Sequence, residues 1–140
     1  MILVPYQAAH LKRLQAQEAQ AYLGVYMTDE YAKALEQTTA WAGLVGDQVI
    51  GCFGVYEMWE NRALLWSYMD QGAGRHLVAI HRAVLAYLEV APYRRIEAEV
   101  DCEFEAGHRW LRMLGFTMEC ERMRCFRVDG GDSALYARVK

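Results

Sequence analysis

The chain has 140 residues, a formal net charge of −3, and 54% hydrophobic against 24% charged residues. That composition suits one domain with its own core and excludes a disordered chain, while the charge gives no overall pull toward nucleic acid or anionic membrane. No apolar run reaches the length of a membrane span, and Met1-Ile2-Leu3-Val4-Pro5 lacks the basic start of a signal peptide, so the expectation is a cytoplasmic protein with neither membrane nor nucleic acid among its partners.

Ile2 to Tyr6 reads as a short strand, and Gln7 to Leu23, rich in Ala, Gln, Leu and Lys, as a helix. Thr28 caps a second helix that ends near Gln37. Trp41 to Val45 and Gln48 to Tyr56 are strands joined by the two-residue turn Gly46-Asp47. Gly51 and Gly54 inside the second strand predict a bulge or a close approach by another group. After a turn at Glu57 to Asn61, Arg62 to Met69 is the third strand of this meander. Arg75 to Val90 is an amphipathic helix with Leu77, Ile80, Val84 and Leu88 in one stripe, ended by Pro92. Ile96, Ala98, Val100 and Cys102 alternate with Glu97, Glu99 and Asp101, a strand period, and the strand–helix–strand order makes this a parallel crossover. Glu105 to Leu114 is a short helix stopped by Gly115. Phe116 to Val128 and Ser133 to Val139 pair through Asp129-Gly130-Gly131-Asp132, with a bulge between Cys120 and Met123 where the apolar phase shifts. The total is an α/β (α+β) single domain over 1–140, with a mixed sheet of about seven strands and about four helices in the order βααβββαβαββ.

Some chemistries are disfavoured outright. Neither serine, Ser67 nor Ser133, sits in a GxSxG setting. His10, His76, His81 and His108 form no HxxxH pair, and Cys52, Cys102, Cys120 and Cys125 lack CxxC spacing, so no metal is expected and the cysteines read as buried free thiols of a reducing compartment. Trp59 lies in a turn beside Met58, and an exposed pair there would mark a contact surface.

The segment Gln71-Gly72-Ala73-Gly74-Arg75-His76 puts two glycines and an arginine at the start of a helix. Such a start offers unpaired N–H groups and a positive dipole end to a phosphate; the competing reading is a tight strand-to-helix turn. Glu97, Glu99 and Asp101 share one strand face, either an acidic wall that holds an amine and supplies a general base, or a solvated face paired with Arg94, Arg95 and Arg124. Glu57, Glu60, Tyr68 and Asp70 fall nearby in chain order as further candidates for base or acid.

In order and spacing, the Gln71–His76 loop, its helix and the Trp110-Leu111-Arg112-Met113-Leu114-Gly115-Phe116 run resemble the coenzyme A-binding half of the GNAT N-acetyltransferase superfamily. The resemblance covers the whole chain and implies acetyl-coenzyme A as cofactor, bound at Gln71, Gly72, Ala73, Gly74, Arg75 and His76, and an unidentified amine as acceptor. The family's phosphate loop matches at Gln71 and Gly74, while His76 stands where it has Gly or Ala. Its thiolate-protonating tyrosine falls on Leu111 and a frequent asparagine on Phe104. Tyr68 is the preferred replacement acid, and Glu99 and Asp101 the carboxylates for the base.

Arg94-Arg95-Ile96-Glu97-Ala98, Arg109-Trp110-Leu111 and Leu135-Tyr136-Ala137-Arg138-Val139 look like the GNAT-like proteins of bacteriophages and prophages. That resemblance implies a rival in which the fold is kept, the chemistry is lost, and the protein is a virion component or binds a host protein. The final strands offer an edge for a homodimer.

Overall fold

The computed structural model describes residues 1–140, the side chain of Ala19 excepted. Seven strands form one mixed sheet in the order β1-β2-β3-β4-β5-β7-β6. They are β1 (Ile2–Pro5), β2 (Thr39–Val45), β3 (Gln48–Trp59), β4 (Arg62–Met69), β5 (Arg95–Asp101), β6 (Thr117–Met123) and β7 (Ser133–Val139). The α-helices are α1 (Ala8–Arg13), α2 (Asp29–Ala34), α3 (Leu77–Val90) and α4 (Glu105–Met113), so the order read from the sequence holds. No described helix is long and apolar enough to cross a membrane. The chain divides into two compact units, Met1–Tyr56 with Trp66–Val84, and Glu57–Leu65 with Leu85–Lys140.

In the first unit β1, β2 and β3 form an antiparallel meander. Gly46 turns the β2–β3 hairpin with φ 58°, a left-handed conformation that glycine adopts without strain. Both sequence expectations for β3 are met. The register shifts between Gly43 and Leu44, leaving a bulge opposite, and a Cβ on Gly54 would lie 2.6 Å from the Thr39 carbonyl oxygen. Thr28 Oγ1 accepts the Tyr31 N–H at 3.1 Å and caps α2. Tyr6, Leu11, Ala32, Leu35, Val49 and Tyr68 belong to the core here. Cys52 is buried among them, and desolvation pushes its thiol pKa up to about 12.

The helix expected over Gln7 to Leu23 does not form as one piece. It stops after Arg13, Leu14 is extended, and Glu18–Tyr26 is a separate 3₁₀ helix. Local propensity favours continuing the helix, but the backbone at residues 15–17 is recruited by the end of β4. Ala16 bridges Asp70, and the Gln17 N–H donates to the Met69 carbonyl at 2.9 Å. Tertiary hydrogen bonds override propensities of a few tenths of a kcal/mol per residue.

In the second unit β4 pairs parallel with β5 over Arg62–Leu64 against Arg95–Glu97, confirming the crossover. β5 pairs antiparallel with β7 over seven residues, and β6 joins β7 with register shifts, one of them between Cys120 and Met123 as expected. Helix α4 ends in a Schellman motif. The Gly115 N–H donates to the Arg112 carbonyl and the Phe116 N–H to that of Leu111, each at 3.0 Å, with Gly115 at φ 89° and Leu111 and Phe116 both buried.

Two further expectations are corrected. β6 ends at Met123 instead of Val128, because Asp132 Oδ1 draws in the Cys125 N–H at 2.9 Å while the Phe126 and Arg127 N–H groups turn onto the Gly131 carbonyl. Of the cysteines only Cys52 is buried; Cys102 and Cys120 are half-buried and Cys125 is exposed. Met58 and Trp59 are 41% and 57% exposed on the hairpin arm, with the Arg62 guanidinium 4.7 Å from the Trp59 ring centre.

Candidate functional site

The loop between β4 and α3 is organised by Asp70, which is buried. Its Oδ2 accepts the Gly72 N–H at 2.9 Å, an Asx turn, and its Oδ1 accepts the Gln15 N–H at 2.9 Å. The Ala73 N–H returns to the Asp70 carbonyl at 3.0 Å, and the Gln71 N–H donates to the Gln15 carbonyl at 2.9 Å. The first three amides of the expected cradle are therefore spent inside the protein. That corrects a reading in which Gly72 and its neighbours all present free N–H groups.

What remains open lies one turn on. Ala73–His76 is a 3₁₀ turn, and the regular α-helix starts at Leu77 instead of Arg75. Gly74 is exposed and a Cβ built on it meets nothing within 4 Å. Arg75 is exposed and His76 half-buried beside it. Gln71 is exposed and Ala73 buried, so Gln71 stands at the loop surface while Ala73 anchors it. The loop thus joins the two sequence readings. Gly72 serves the tight turn, and Gly74 with Arg75 forms an accessible cationic surface.

Tyr68 is buried on β4. Its hydroxyl lies 2.5 Å from that of Tyr31, and its ring packs 5.9 Å, centre to centre, from Trp66. Tyr31 is itself partly exposed, which gives the pair a route to solvent.

The three carboxylates of β5 have different fates. Glu97 is buried and accepts from both Arg62 and Arg95, the latter at 2.8 Å. The Arg62 hydrogen bond, outweighing desolvation and reinforced by Arg95, holds its carboxyl below the usual range. Arg95 continues to Glu119 at 2.5 Å, so a charge ladder crosses this face. Asp101 pairs with Arg127 at 2.6 Å and accepts the Glu103 N–H at 2.9 Å. Glu99 has no hydrogen bond or ion pair among the described residues. Its residue surface is exposed, but its carboxyl sits in surroundings crowded enough for desolvation to raise its pKa. The arginine-paired reading therefore describes Glu97 and Asp101, with Arg95 as one expected partner and Arg62 and Arg127 as the others. Of the three carboxylates of β5, Glu99 is the one with no partner among the described residues.

The end of β5 is fixed by a buried histidine. His108 Nε2 donates to the Asp101 and Cys102 carbonyls at 3.1 and 3.0 Å, and Nδ1 is hydrogen-bonded to the Tyr136 hydroxyl at 2.7 Å. Leu111, at the tyrosine position of the resemblance, is buried in the turn that ends α4. Phe104 packs its ring on Gly107, where a Cβ would approach Phe104 Cδ2 to 2.8 Å. Both are packing residues. Sequence reasoning missed the controlling role of Asp70, although an aspartate two residues before a glycine is the signature of an Asx turn.

No protein-family model and no curated protein matches the sequence. Solved structures do match in shape. Ard1 from Thermoplasma volcanium superposes with a TM-score of 0.81 at 16% identity, covering 99% of this chain and 96% of that one. An N-acetyltransferase from Staphylococcus aureus Mu50 gives 0.76 at 9% identity, with 99% and 96% covered. A Salmonella typhimurium acetyl transferase that modifies the N-terminal serine of ribosomal protein L7/L12 gives 0.68 at 18% identity, with 99% and 94% covered. Over its whole length this chain has the fold of the GNAT acetyltransferases.

Proposed function

We propose that the protein is an acyl-coenzyme A-dependent N-acyltransferase that acts on an amine in the cytoplasm. The carrying observation is the likeness of fold to acetyltransferases across 99% of the chain. The residues present suit the cofactor. Gly74 leaves room for a close approach to the backbone, and Arg75, with His76 when protonated, supplies positive charge for a pyrophosphate. When bound, coenzyme A supplies the thioester. Glu99 takes the proton from the acceptor ammonium, since a protonated amine has no lone pair to attack with. The coenzyme would supply an acyl carbon for the freed amine to attack, and the Tyr68 hydroxyl, in contact with that of Tyr31, would hold the proton for the thiolate that leaves. Asp70 acts on none of these atoms; it positions the loop.

The test is thermal unfolding with and without excess acetyl-coenzyme A. A ligand at a hundred times its dissociation constant adds about 2.7 kcal/mol, and for a domain of this size that raises the midpoint by roughly 8–10 °C. Because a Cβ on the exposed Gly74 meets nothing within 4 Å, Gly74→Trp is expected to fold and to lose the shift. No shift in the intact protein overturns the reading.

Two observations favour a second reading. Leu111 is buried where the family's proton donor stands, and Met58 and Trp59 are exposed. On that reading the chain is a phage or prophage protein that keeps the fold and works by binding, as a virion component or on a host protein, alone or as a homodimer. Absence of the shift, with the chain recovered in purified virions or bound to a host protein, selects it.

A further inference from the structure

One face of the sheet in the second unit carries no helix of that unit. Residues directly opposite in an antiparallel pair share a face, so Arg95, Glu97, Ala137 and Val139 lie on one side, and Ile96, Ala98, Tyr136 and Arg138 on the other. The unit's helical segments sit on the second side. His108 of α4 bonds the Tyr136 hydroxyl, and Arg138 Nη1 donates to the Leu88 carbonyl of α3 at 3.0 Å.

The bare side holds a closed row of charges. Arg62 Nη2 donates to Glu97 at 3.0 Å, and Arg95 Nε donates to Glu97 at 2.8 Å. Arg95 Nη1 then reaches across β7 to Glu119 on β6 at 3.0 Å, over the small Ala137. The row therefore begins with guanidinium groups on β4 and β5 and ends with a carboxylate on β6. Two arginines stand against two glutamates, so it is neutral as a whole. Exposed apolar surface adjoins it. Val139 is 61% exposed beside Arg95, and Trp59, 57% exposed, lies under the Arg62 guanidinium.

We propose that this face docks on the same face of a second copy of the chain. A two-fold axis along the strands lays the arginine end of one row on the Glu119 end of the other, so opposite charges meet at both ends. Each ion keeps its own partner when it is covered, so docking leaves no buried charge unpaired. A neutral row does not select a strongly basic or acidic foreign surface, whereas its own rotated copy matches it. Trp59 and Val139 add the apolar area. The edge of β6 is the other way to join two copies, and it is guarded by two register shifts and by Glu119, Glu121 and Arg122. Four strands about 4.8 Å apart make the patch only about 20 Å wide, so the dimer is a weak one, at the low end of specific interfaces. Glu99 stands two residues beyond Glu97 on β5, about 6.6 Å further along, at the margin of the contact.

Sedimentation equilibrium of the intact chain tests this, independently of either functional reading. Over loadings from about 1 to about 300 µM, the expected result is a monomer–dimer equilibrium with a dissociation constant on the order of 10–100 µM. A monomer at every loading overturns the proposal. Glu119→Lys makes both ends of the row positive, and Val139→Arg sets a like charge beside Arg95. Both positions are exposed, so both variants fold, with far-UV circular dichroism as the check, and each weakens the dimer at least about tenfold. Trp59→Ser, which removes only exposed apolar surface, weakens it as well. A dimer unaffected by all three lies elsewhere on the molecule and overturns the proposal. Raising salt from about 0.05 to about 0.5 M loosens the unaltered dimer about threefold or more, because the matched ends are partly exposed. A dimer equally tight in both salts overturns the charge match.

Discussion

The loop after β4 and the strand β5 both concentrate charged or turn-forming residues, yet they use carboxylates in opposite ways. Asp70 turns inward and satisfies backbone N–H groups, so its charge builds the Asx turn and ties Gln15 to the loop. Glu97 and Asp101 pair with guanidinium groups, so their charge builds a ladder across a strand face. In both regions a carboxylate that is well partnered is structural. Glu99 differs because nothing described pairs with it and its surroundings desolvate it, and a carboxylate in that state takes up a proton more readily than an ordinary one.

The largest way to break this comparison is Glu99→Gln. If Glu99 is the base, acyl transfer to an amine falls by about 10²–10⁴-fold, measured as kcat/KM, while the thermal shift with acetyl-coenzyme A persists. A similar loss from Asp101→Asn and none from Glu99→Gln would reverse the assignment. Next comes Asp70→Ala. It removes the charged acceptor of two part-buried hydrogen bonds, from the Gln15 and Gly72 N–H groups, and the expected loss is about 2–3 kcal/mol, a midpoint lowered by roughly 6–10 °C. Asp70→Asn keeps an acceptor and costs less, which separates hydrogen bonding from charge.

The smallest effect concerns pH and has opposite signs for the two glutamates. The Glu97 pKa is lowered on folding, chiefly by the Arg62 hydrogen bond, so its stabilisation is present above the ordinary value of 4.5 and is lost as pH falls through the folded value. Glu97→Gln therefore flattens the acid side of the stability profile. The Glu99 pKa is raised, so between 4.5 and its folded value stability declines as pH rises. Glu99→Gln removes that decline and leaves the protein slightly more stable at neutral pH. Chemical denaturation across about pH 3–8 reads the two slopes.

The elements most legible in the sequence are those whose signals are local. Gly46-Asp47 with alternating flanks encodes the hairpin, Thr28 with Tyr31 three residues on encodes a cap, and Leu-Gly-Phe at 114–116 encodes the Schellman stop. In each case the partners lie within five residues, so one window of sequence contains both ends of the interaction. The candidate site was legible to a lesser degree. Its loop was located, but which of its amides are spent was not, because Gln15 lies 55 residues from Asp70. Glu97, Glu99 and Asp101 are equivalent by strand period, and only Arg62, Arg95 and Arg127, brought in from β4, β5 and the turn after β6, distinguish them.

The sequence by itself determined the order of strands and helices, the parallel crossover and the place of the glycine loop, since periodicity and turn chemistry act over a few residues. The tertiary structure decided where the first helix breaks, that Gln20 covers the edge of β4, and that Glu99 is the β5 carboxylate with no partner among the described residues. Those outcomes depend on hydrogen bonds and desolvation between residues distant in the chain, and these outweigh local preference wherever a buried polar group would otherwise go unpaired.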